Sequence, residues 1–370
     1  MAGNNSGAAD AGSVIRSAVP QVMATWLLSA CAVAVAATLL SLPPLQHPDT
    51  ASYLAHSPER APLYPLIIDV FQAVFAQSAF LWLARFQAAC LLAAGIWFAL
   101  RVGRLLGLGA SWRLGMFLIL CAPGLKFSSA ILAEPLSYAL LIAFWALLAG
   151  EALCGRSGSS PWLAFLCAVA LLLRPQAIFL PVTYGLYLLG RLPFQPRRSV
   201  IAALALLLFA LAGGLGLRGA DNAWRNGSYS TASSGGVHLL ASVLYISDEA
   251  DQEALADPRA RELFTRSLAK AEALGFTRRH WDMGRSHFDV SMERLVFDVV
   301  RPVLSDLLPA TGTVATQAEQ ADGLALKTAK TLIWHKPLDF AALLARKVYD
   351  GQPFYYALLV LAGCSALAFR

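Results

Sequence analysis

Six long apolar runs alternate with shorter polar segments along the chain. A run of about 20 apolar residues is long enough to cross the hydrocarbon core of a bilayer as a helix. The pattern therefore predicts an all-α fold, a polytopic membrane helix bundle. The predicted spans are residues 21–42, 79–100, 112–149, 161–190, 199–217 and 353–369.

Two of these runs are too long to be single spans. As one helix, 112–149 would measure roughly 57 Å, almost twice the roughly 30 Å hydrocarbon core. The segment CAPGLKFSSAILAEP interrupts it with Pro123 and Gly124, which stop a helix. The run 161–190 contains Arg174, which would cost about 2.5–3.5 kcal/mol near mid-bilayer. Both runs are therefore predicted to break and fold back.

Arginines in the short loops set the predicted orientation. Cytoplasmic loops are enriched in Lys and Arg, and with both long runs broken one side carries Arg16, Arg101, Arg104, Arg113, Arg156, Arg191, Arg197 and Arg198. The opposite side receives the loop at 43–78, the break at 124–134, the turn at Arg174 and the long segment 219–352. Four charged residues are thus expected on one face: Asp49, Lys126, Glu134 and Arg174.

This topology gives the expected domain organisation. Residues 1–20 are predicted to be a disordered cytoplasmic N-terminus. The long segment mixes acids and bases in helical patterns, so it is predicted to be a mostly helical extracytoplasmic domain. The predicted parts are a transmembrane bundle at 21–218 with its first extracytoplasmic loop at 43–78, the extracytoplasmic domain at 219–352 and a final transmembrane segment at 353–370.

Composition supports a membrane location and narrows the possible partners. Hydrophobic residues make up 57% of the chain and charged residues 14%, compared with roughly 25% charged in soluble domains. The net charge of +6 does not indicate nucleic acid, because the arginines fall in short clusters between apolar runs. The six cysteines lie in or beside apolar runs without a CxxC pair, which indicates packing residues. No metal site or cofactor is predicted, although a divalent metal stays open.

The loop after the first apolar run contains the first candidate site residues. Asp49 and Tyr53 are four residues apart on an expected short helix, so they face the same way. Arg60 stands among prolines, and a fixed arginine beside a membrane suits a phosphate. The residue pattern leaves two simpler roles open: Asp49 as a helix cap, and Arg60 as a surface contact to lipid headgroups.

Glu134 opens the helix EPLSYALL, where a carboxylate is favoured by the helix dipole. Its predicted roles are acceptor or sugar binding, orienting a cation, and a plain cap. For Arg174 and Lys126 the alternatives are phosphate binding and pairing with Glu134 within a cavity wall.

Five segments in this order resemble the GT-C superfamily of integral-membrane glycosyltransferases, which includes aminoarabinose transferases and protein O-mannosyltransferases. They are PDTASYL, ERAPLYPLI, ILAEPLSYALLIAFWALL, LLLRPQAIFLPV and HKPLDFAALLARKVYDG, spread over positions 21–352. Asp49-Thr50 stands where the aminoarabinose type usually has Asp-Glu. Family members generally carry more helices after the large loop, so a short variant or a fragment is expected.

The resemblance implies an inverting glycosyltransferase of the bacterial inner membrane whose active site faces the periplasm. Its donor would be a polyprenyl-phosphate-linked sugar, its acceptor a lipid, glycan or protein, and its other partners membrane lipids. Asp49 would be the general base. The donor phosphate would be bound by Arg60, Lys126, Arg174, His335 and Lys336, and the substrates by Tyr53, Tyr64 and Glu134.

Two other classes of protein fit the same pattern. One is a transporter or flippase for lipid-linked sugars, and the other is a non-catalytic membrane assembly subunit. Transporters tend to place ionisable residues near the bilayer midplane in repeated halves. Here the charges are expected at one interface and no internal repeat is visible, which favours chemistry on a lipid headgroup.

Overall fold

The computed structural model describes residues 7–47, 49–57, 60–154, 160–227, 229, 235–278, 291–308 and 314–351. All regular elements in these ranges are helical, which confirms the predicted all-α class. The chain divides into two compact units, residues 1–225 and 226–370. The predicted final segment at 353–370 lies outside the described residues, as do the first six residues of the predicted N-terminus.

The described residues of the first unit form ten helices and two short 3₁₀ turns. The helices are α1 (Gly7–Ser41), α2 (Thr50–Leu54), α3 (Leu63–Phe75), α4 (Ala79–Leu105), α5 (Ala110–Cys121), α6 (Gly124–Phe127), α7 (Glu134–Cys154), α8 (Ser160–Leu173), α9 (Phe179–Arg191) and α10 (Arg197–Asn226). The 3₁₀ turns are Ala76–Ser78 and Pro175–Ile178. Helix α10 continues past residue 218, the predicted end of the bundle.

Four segments of the described chain are helical, long and apolar enough to cross a membrane, which indicates a membrane protein. They are Val22–Ser41, Leu63–Leu105, Glu134–Cys154 and Arg197–Arg225. They overlap the predicted spans at 21–42, 79–100, 112–149 and 199–217. The second segment begins 16 residues before its predicted span, because α3 and α4 follow one another across a single 3₁₀ turn.

Both long apolar runs are interrupted where the sequence predicts. Helix α5 ends at Cys121, just before Pro123, and α7 begins only at Glu134. Arg174 is extended, with φ −155° and ψ 118°, between α8 and the following 3₁₀ turn. Proline after Arg174 explains this, because a residue that precedes proline is disfavoured in the helical region. Polar residues at both breaks therefore lie between helices.

Close helix packing in the first unit depends on small residues. A Cβ atom at Gly95 of α4 would lie 2.6 Å from the Cys121 sulfur, and one at Gly124 would overlap the Leu91 side chain. Helices in apolar surroundings gain stability mainly from such close approach. The packing of α4 against α5 and α6 therefore fixes the segment that follows α6.

The second unit has its own apolar core. Its elements are α11 (Gly235–Leu244), a 3₁₀ turn (Glu249–Ala254), α12 (Pro258–Ala273), a π-helical turn (Leu295–Val300), α13 (Arg301–Leu307), α14 (Val314–His335) and α15 (Pro337–Gly351). Leu240, Leu263, Val299 and Ala325 are fully buried members of the core. The Asp322 carboxylate of α14 accepts hydrogen bonds from the backbone N–H groups of Gly236 and Val237, at 2.6 and 3.1 Å.

Candidate functional site

The loop after α1 is tied to the segment that precedes α7. The Leu45 N–H donates to the Ser129 carbonyl and the Ile131 N–H donates to the Leu45 carbonyl, both at 2.9 Å. The Thr50 hydroxyl donates to the Ile131 carbonyl at 3.0 Å. Because these bonds satisfy backbone groups on both segments, the start of α2 is held beside the entry to α7.

A buried glutamine supports this junction from α4. The Tyr64 hydroxyl donates to Gln87 Oε1 at 2.6 Å. Gln87 Nε2 in turn donates to the carbonyls of Ser128 and Ala130, at 3.1 and 2.9 Å. Tyr64 and Gln87 are both fully buried. This network joins α3, α4 and the segment before α7.

Asp49 and Arg60 form an ion pair at the surface of the junction. Arg60 Nη2 lies 2.7 Å from Asp49 Oδ1, and the two side chains are 25% and 38% exposed. Arg60 Nε also donates to the Ser52 hydroxyl at 2.7 Å, and its guanidinium lies over the Tyr53 ring, 4.6 Å from the ring centre. Asp49 occupies the N-cap position of α2, but its side chain makes no capping hydrogen bond. Its carboxylate therefore serves the ion pair and not the helix end.

A second ion pair joins the two helix breaks. Arg174 Nη1 lies 3.1 Å from Glu134 Oε1, and both side chains are about one-third exposed. Glu134 is the first residue of α7, where the helix dipole favours its charge. Its other oxygen, Oε2, is buried and has no hydrogen-bond partner within the described part of the chain. Arg174 thus makes the pairing with Glu134 that the sequence left open, and phosphate binding by Arg174 stays a prediction.

Tyr53 lies between the two ion pairs. Its ring is buried and packs edge-on against Tyr64, with 4.9 Å between the ring centres. Burial raises the pKa of Tyr53 above its ordinary value, and the charge of Glu134 acts in the same direction. Arg60, Arg174 and the backbone of Ala133 oppose that rise. Both ion pairs therefore affect the pKa of the Tyr53 phenol. The structure brings together five predicted site residues: Asp49, Tyr53, Arg60, Glu134 and Arg174.

Two predicted residues of the first unit lie apart from this group. Lys126 is exposed on α6 and forms no ion pair with any described residue. Tyr64 is fully buried beneath Tyr53, so its hydroxyl serves Gln87 and reaches no solvent. In this conformation Tyr64 supports the site from below, and a direct substrate contact stays a prediction.

The two predicted residues of the second unit belong to an ion-pair network there. Lys336 Nζ lies 2.6 Å from Asp248 and 2.8 Å from Asp251, and His335 Nε2 lies 3.7 Å from Asp251, which is almost fully buried. Burial disfavours the charged Lys336, but its hydrogen bonds to the two carboxylates outweigh burial and raise its pKa. The hydrogen bond between Lys336 and Asp248 also lowers the pKa of Asp248. Phosphate binding by His335 and Lys336 stays a prediction.

Three further residues were not predicted from the sequence as site residues. Gln87 and Arg218 are polar residues within apolar runs, and that contrast was the signal that could have identified them. His56 has a positive φ of 47°, and its Nε2 lies 3.0 Å from the Asp69 carboxylate. That contact ties the end of the α2 segment to α3.

Among the described residues, no group of three or more His, Cys, Asp or Glu side chains is arranged to hold a metal ion. The arrangement is instead two acids and two guanidinium groups around a buried tyrosine, which suits proton transfer and anion binding. No family model, no curated protein and no solved structure matches this chain.

Proposed function

We propose that the protein is an inverting glycosyltransferase that moves a sugar from a polyprenyl-phosphate donor to an envelope acceptor. The acceptor would be a lipid, a glycan or a protein on the periplasmic side of a bacterial inner membrane. One observation carries this proposal. The Asp49 carboxylate and the Arg60 guanidinium are held 2.7 Å apart in the loop that follows a membrane-length helix.

Asp49 is the proposed general base. Its Oδ1 contacts Arg60, which fixes the carboxylate. Its other oxygen, Oδ2, takes the proton of the acceptor hydroxyl as the hydroxyl oxygen bonds to the anomeric carbon from the face opposite the phosphate. The bond between the anomeric carbon and the phosphate oxygen breaks, and its electron pair leaves with the lipid phosphate. A positioned base of this kind contributes roughly 10²–10⁴-fold to a rate.

The departing phosphate requires fixed positive charge. Arg60 and Arg174 are the proposed ligands, since each is held by a carboxylate and about a quarter to a third of each side chain remains exposed. Preorganised cations stabilise charge that develops in a transition state without a reorganisation cost. Lys126, exposed on α6, is a proposed additional contact to the headgroup. Tyr53 and Glu134 are the proposed substrate contacts, and Tyr64 positions Tyr53.

The test compares envelope composition in strains that differ at one carboxylate. A deletion strain is complemented with wild type, Asp49→Asn or Asp69→Asn, and lipid-linked sugars and envelope glycans are measured by mass spectrometry. Asp69→Asn is the matched control, because Asp69 is also a part-exposed carboxylate with a nitrogen partner, His56, at 3.0 Å but takes no part in the proposed reaction. Asp49→Asn should insert normally, lower product by at least about 100-fold and accumulate lipid-linked precursor, while Asp69→Asn restores product.

Two outcomes would contradict the proposal. Normal product from Asp49→Asn would show that the carboxylate is not the base, which fits a flippase or an assembly subunit. Equal loss in Asp49→Asn and Asp69→Asn would show that the loop, and not the Asp49 carboxylate, is what matters.

A further inference from the structure

Arg218 of α10 is a buried cation that has two nitrogens without a partner among the described residues. The residue is only 4% exposed, and its Nε and Nη2 atoms are buried without a hydrogen-bond acceptor in the described part of the chain. The nearest acid along the helix, Asp221, is engaged by Arg225 at 2.9 Å. Arg218 lies in a segment apolar enough to cross a membrane. The positive charge is therefore not balanced by any described side chain.

Helix register places Arg218 at the level of the Arg174 turn. Helices α8 and α10 run in the same direction because α9 returns between them, and a Cβ at Gly214 would lie 3.6 Å from the Ala168 carbonyl oxygen. Four residues beyond this contact, Arg218 lies level with residue 172. A Cβ at Gly185 would lie 3.9 Å from the Leu207 side chain, so α9 also lies beside α10.

Leaving this charge unbalanced is costly. A buried ion without a partner costs several kcal/mol even after the surroundings relax, and charged residues within membrane helices almost always face a partner or a polar cavity. The two unpartnered nitrogens also share one edge of the guanidinium plane. That edge is the one with which arginine donates two parallel hydrogen bonds to a pair of oxygens.

We propose that Arg218 binds a phosphate anion through this edge, as a ligand of the same headgroup that Arg174 contacts. This inference rests on the proposed function for the identity of the ligand as a lipid-linked phosphate. Arg174 already gives one nitrogen to Glu134, whereas the Nε and Nη2 edge of Arg218 has no hydrogen-bond acceptor among the described residues. Arg218 is then the stronger of the two phosphate ligands.

The test measures phosphate binding by the purified full chain in lipid nanodiscs. Thermal unfolding is followed without additive, with a C55 polyprenyl phosphate, with the matching polyprenol and with inorganic phosphate. Wild type should be stabilised by the polyprenyl phosphate and not by the polyprenol. Arg218→Met should lose at least ten-fold in affinity and should unfold at the same or a higher temperature without additive, because it removes an unbalanced charge. Arg225→Met is the control, since Arg225 has a carboxylate partner, and it should keep the affinity.

The result with inorganic phosphate identifies the source of the anion. Stabilisation by both phosphates shows that the phosphate group suffices, and stabilisation by the polyprenyl form alone shows that the lipid is required. Three results overturn the inference: no binding by wild type, equal affinity in Arg218→Met, or a less stable Arg218→Met protein without additive, which would reveal an internal partner. Because no sugar is transferred in this assay, its failure is separate from that of the proposed reaction. Full transfer by Asp49→Asn would reject only the reaction.

Discussion

Replacing Tyr64 by phenylalanine tests the buried network beneath the candidate site. The substitution keeps the ring, including its edge contact with Tyr53 at 4.9 Å, and removes only the hydroxyl that donates to Gln87. Gln87 is fully buried, so no water replaces the lost donor. Its Oε1 is then an unsatisfied acceptor in the interior.

The expected loss in the free energy of unfolding depends on whether Gln87 can find another hydrogen-bond partner. Leaving a buried acceptor unsatisfied costs about 1–3 kcal/mol, whereas hydrogen bonds between membrane helices average about 0.6 kcal/mol with a maximum near 1.7. The lower average arises because the freed group often finds another partner. Gln87 cannot turn toward one without losing its bonds to Ser128 and Ala130. We therefore expect Tyr64→Phe to lower the free energy of unfolding by about 1–2 kcal/mol.

Equilibrium unfolding in mixed detergent micelles measures this loss. Tyr187→Phe is the matched control: the Tyr187 hydroxyl accepts from Arg191 at 3.0 Å in a half-buried position, so water replaces the lost partner and the cost should stay below about 0.5 kcal/mol. A Tyr64→Phe cost no larger than that of Tyr187→Phe would refute the argument that this network holds the junction. In the double variant with Gln87→Leu, a coupling energy above about 0.5 kcal/mol would confirm direct interaction.

Two further predictions concern the second unit. Gly236→Ala should lower the free energy of unfolding by about 1–3 kcal/mol, because its Cβ would overlap the Asp322 carbonyl oxygen. Gly323→Ala has open space around its Cβ and should stabilise α14 by up to about 1 kcal/mol. Chemical denaturation should therefore show changes in the free energy of unfolding of opposite sign for the two variants. Lys336→Met should cost about 1–3 kcal/mol, because the buried Asp251 carboxylate loses its Lys336 partner and keeps the Asp248 N–H and His335. Since Lys336 lowers the pKa of Asp248, its contribution is present at neutral pH and is lost as pH falls below about 4, so unfolding curves of wild type and variant should converge there.

The helix breaks were predictable because their causes are local. Pro123 ends α5 and the proline after Arg174 disfavours helix at that arginine, and both effects act over one or two residues. The α2 helix was equally readable from the spacing of Asp49 and Tyr53. These parts of the fold depend on neighbours in the sequence.

Partners distant in sequence were not predictable in the same way. The sequence left a helix cap and a general base open for Asp49, and only the folded loop shows that its carboxylate contacts Arg60 instead of the helix end. The bonds from Gln87 reach residues more than 40 positions away. Their formation depends on how α4 packs beside the segment after α6, which hydrophobic periodicity does not specify. The register that places Arg218 has the same origin.

The shortness of α8 and α9 has a consequence for the surrounding lipid. These helices contain 14 and 13 residues, so each rises about 20 Å, roughly 10 Å less than a typical hydrocarbon core. A bilayer beside such helices must become thinner locally or be kept away by longer neighbours. A phosphate drawn toward Arg174 would accordingly travel less far from its headgroup layer than in an undisturbed leaflet. The acyl-chain length of the host membrane therefore affects how far a phosphate must move from the headgroup layer to the Arg174 turn.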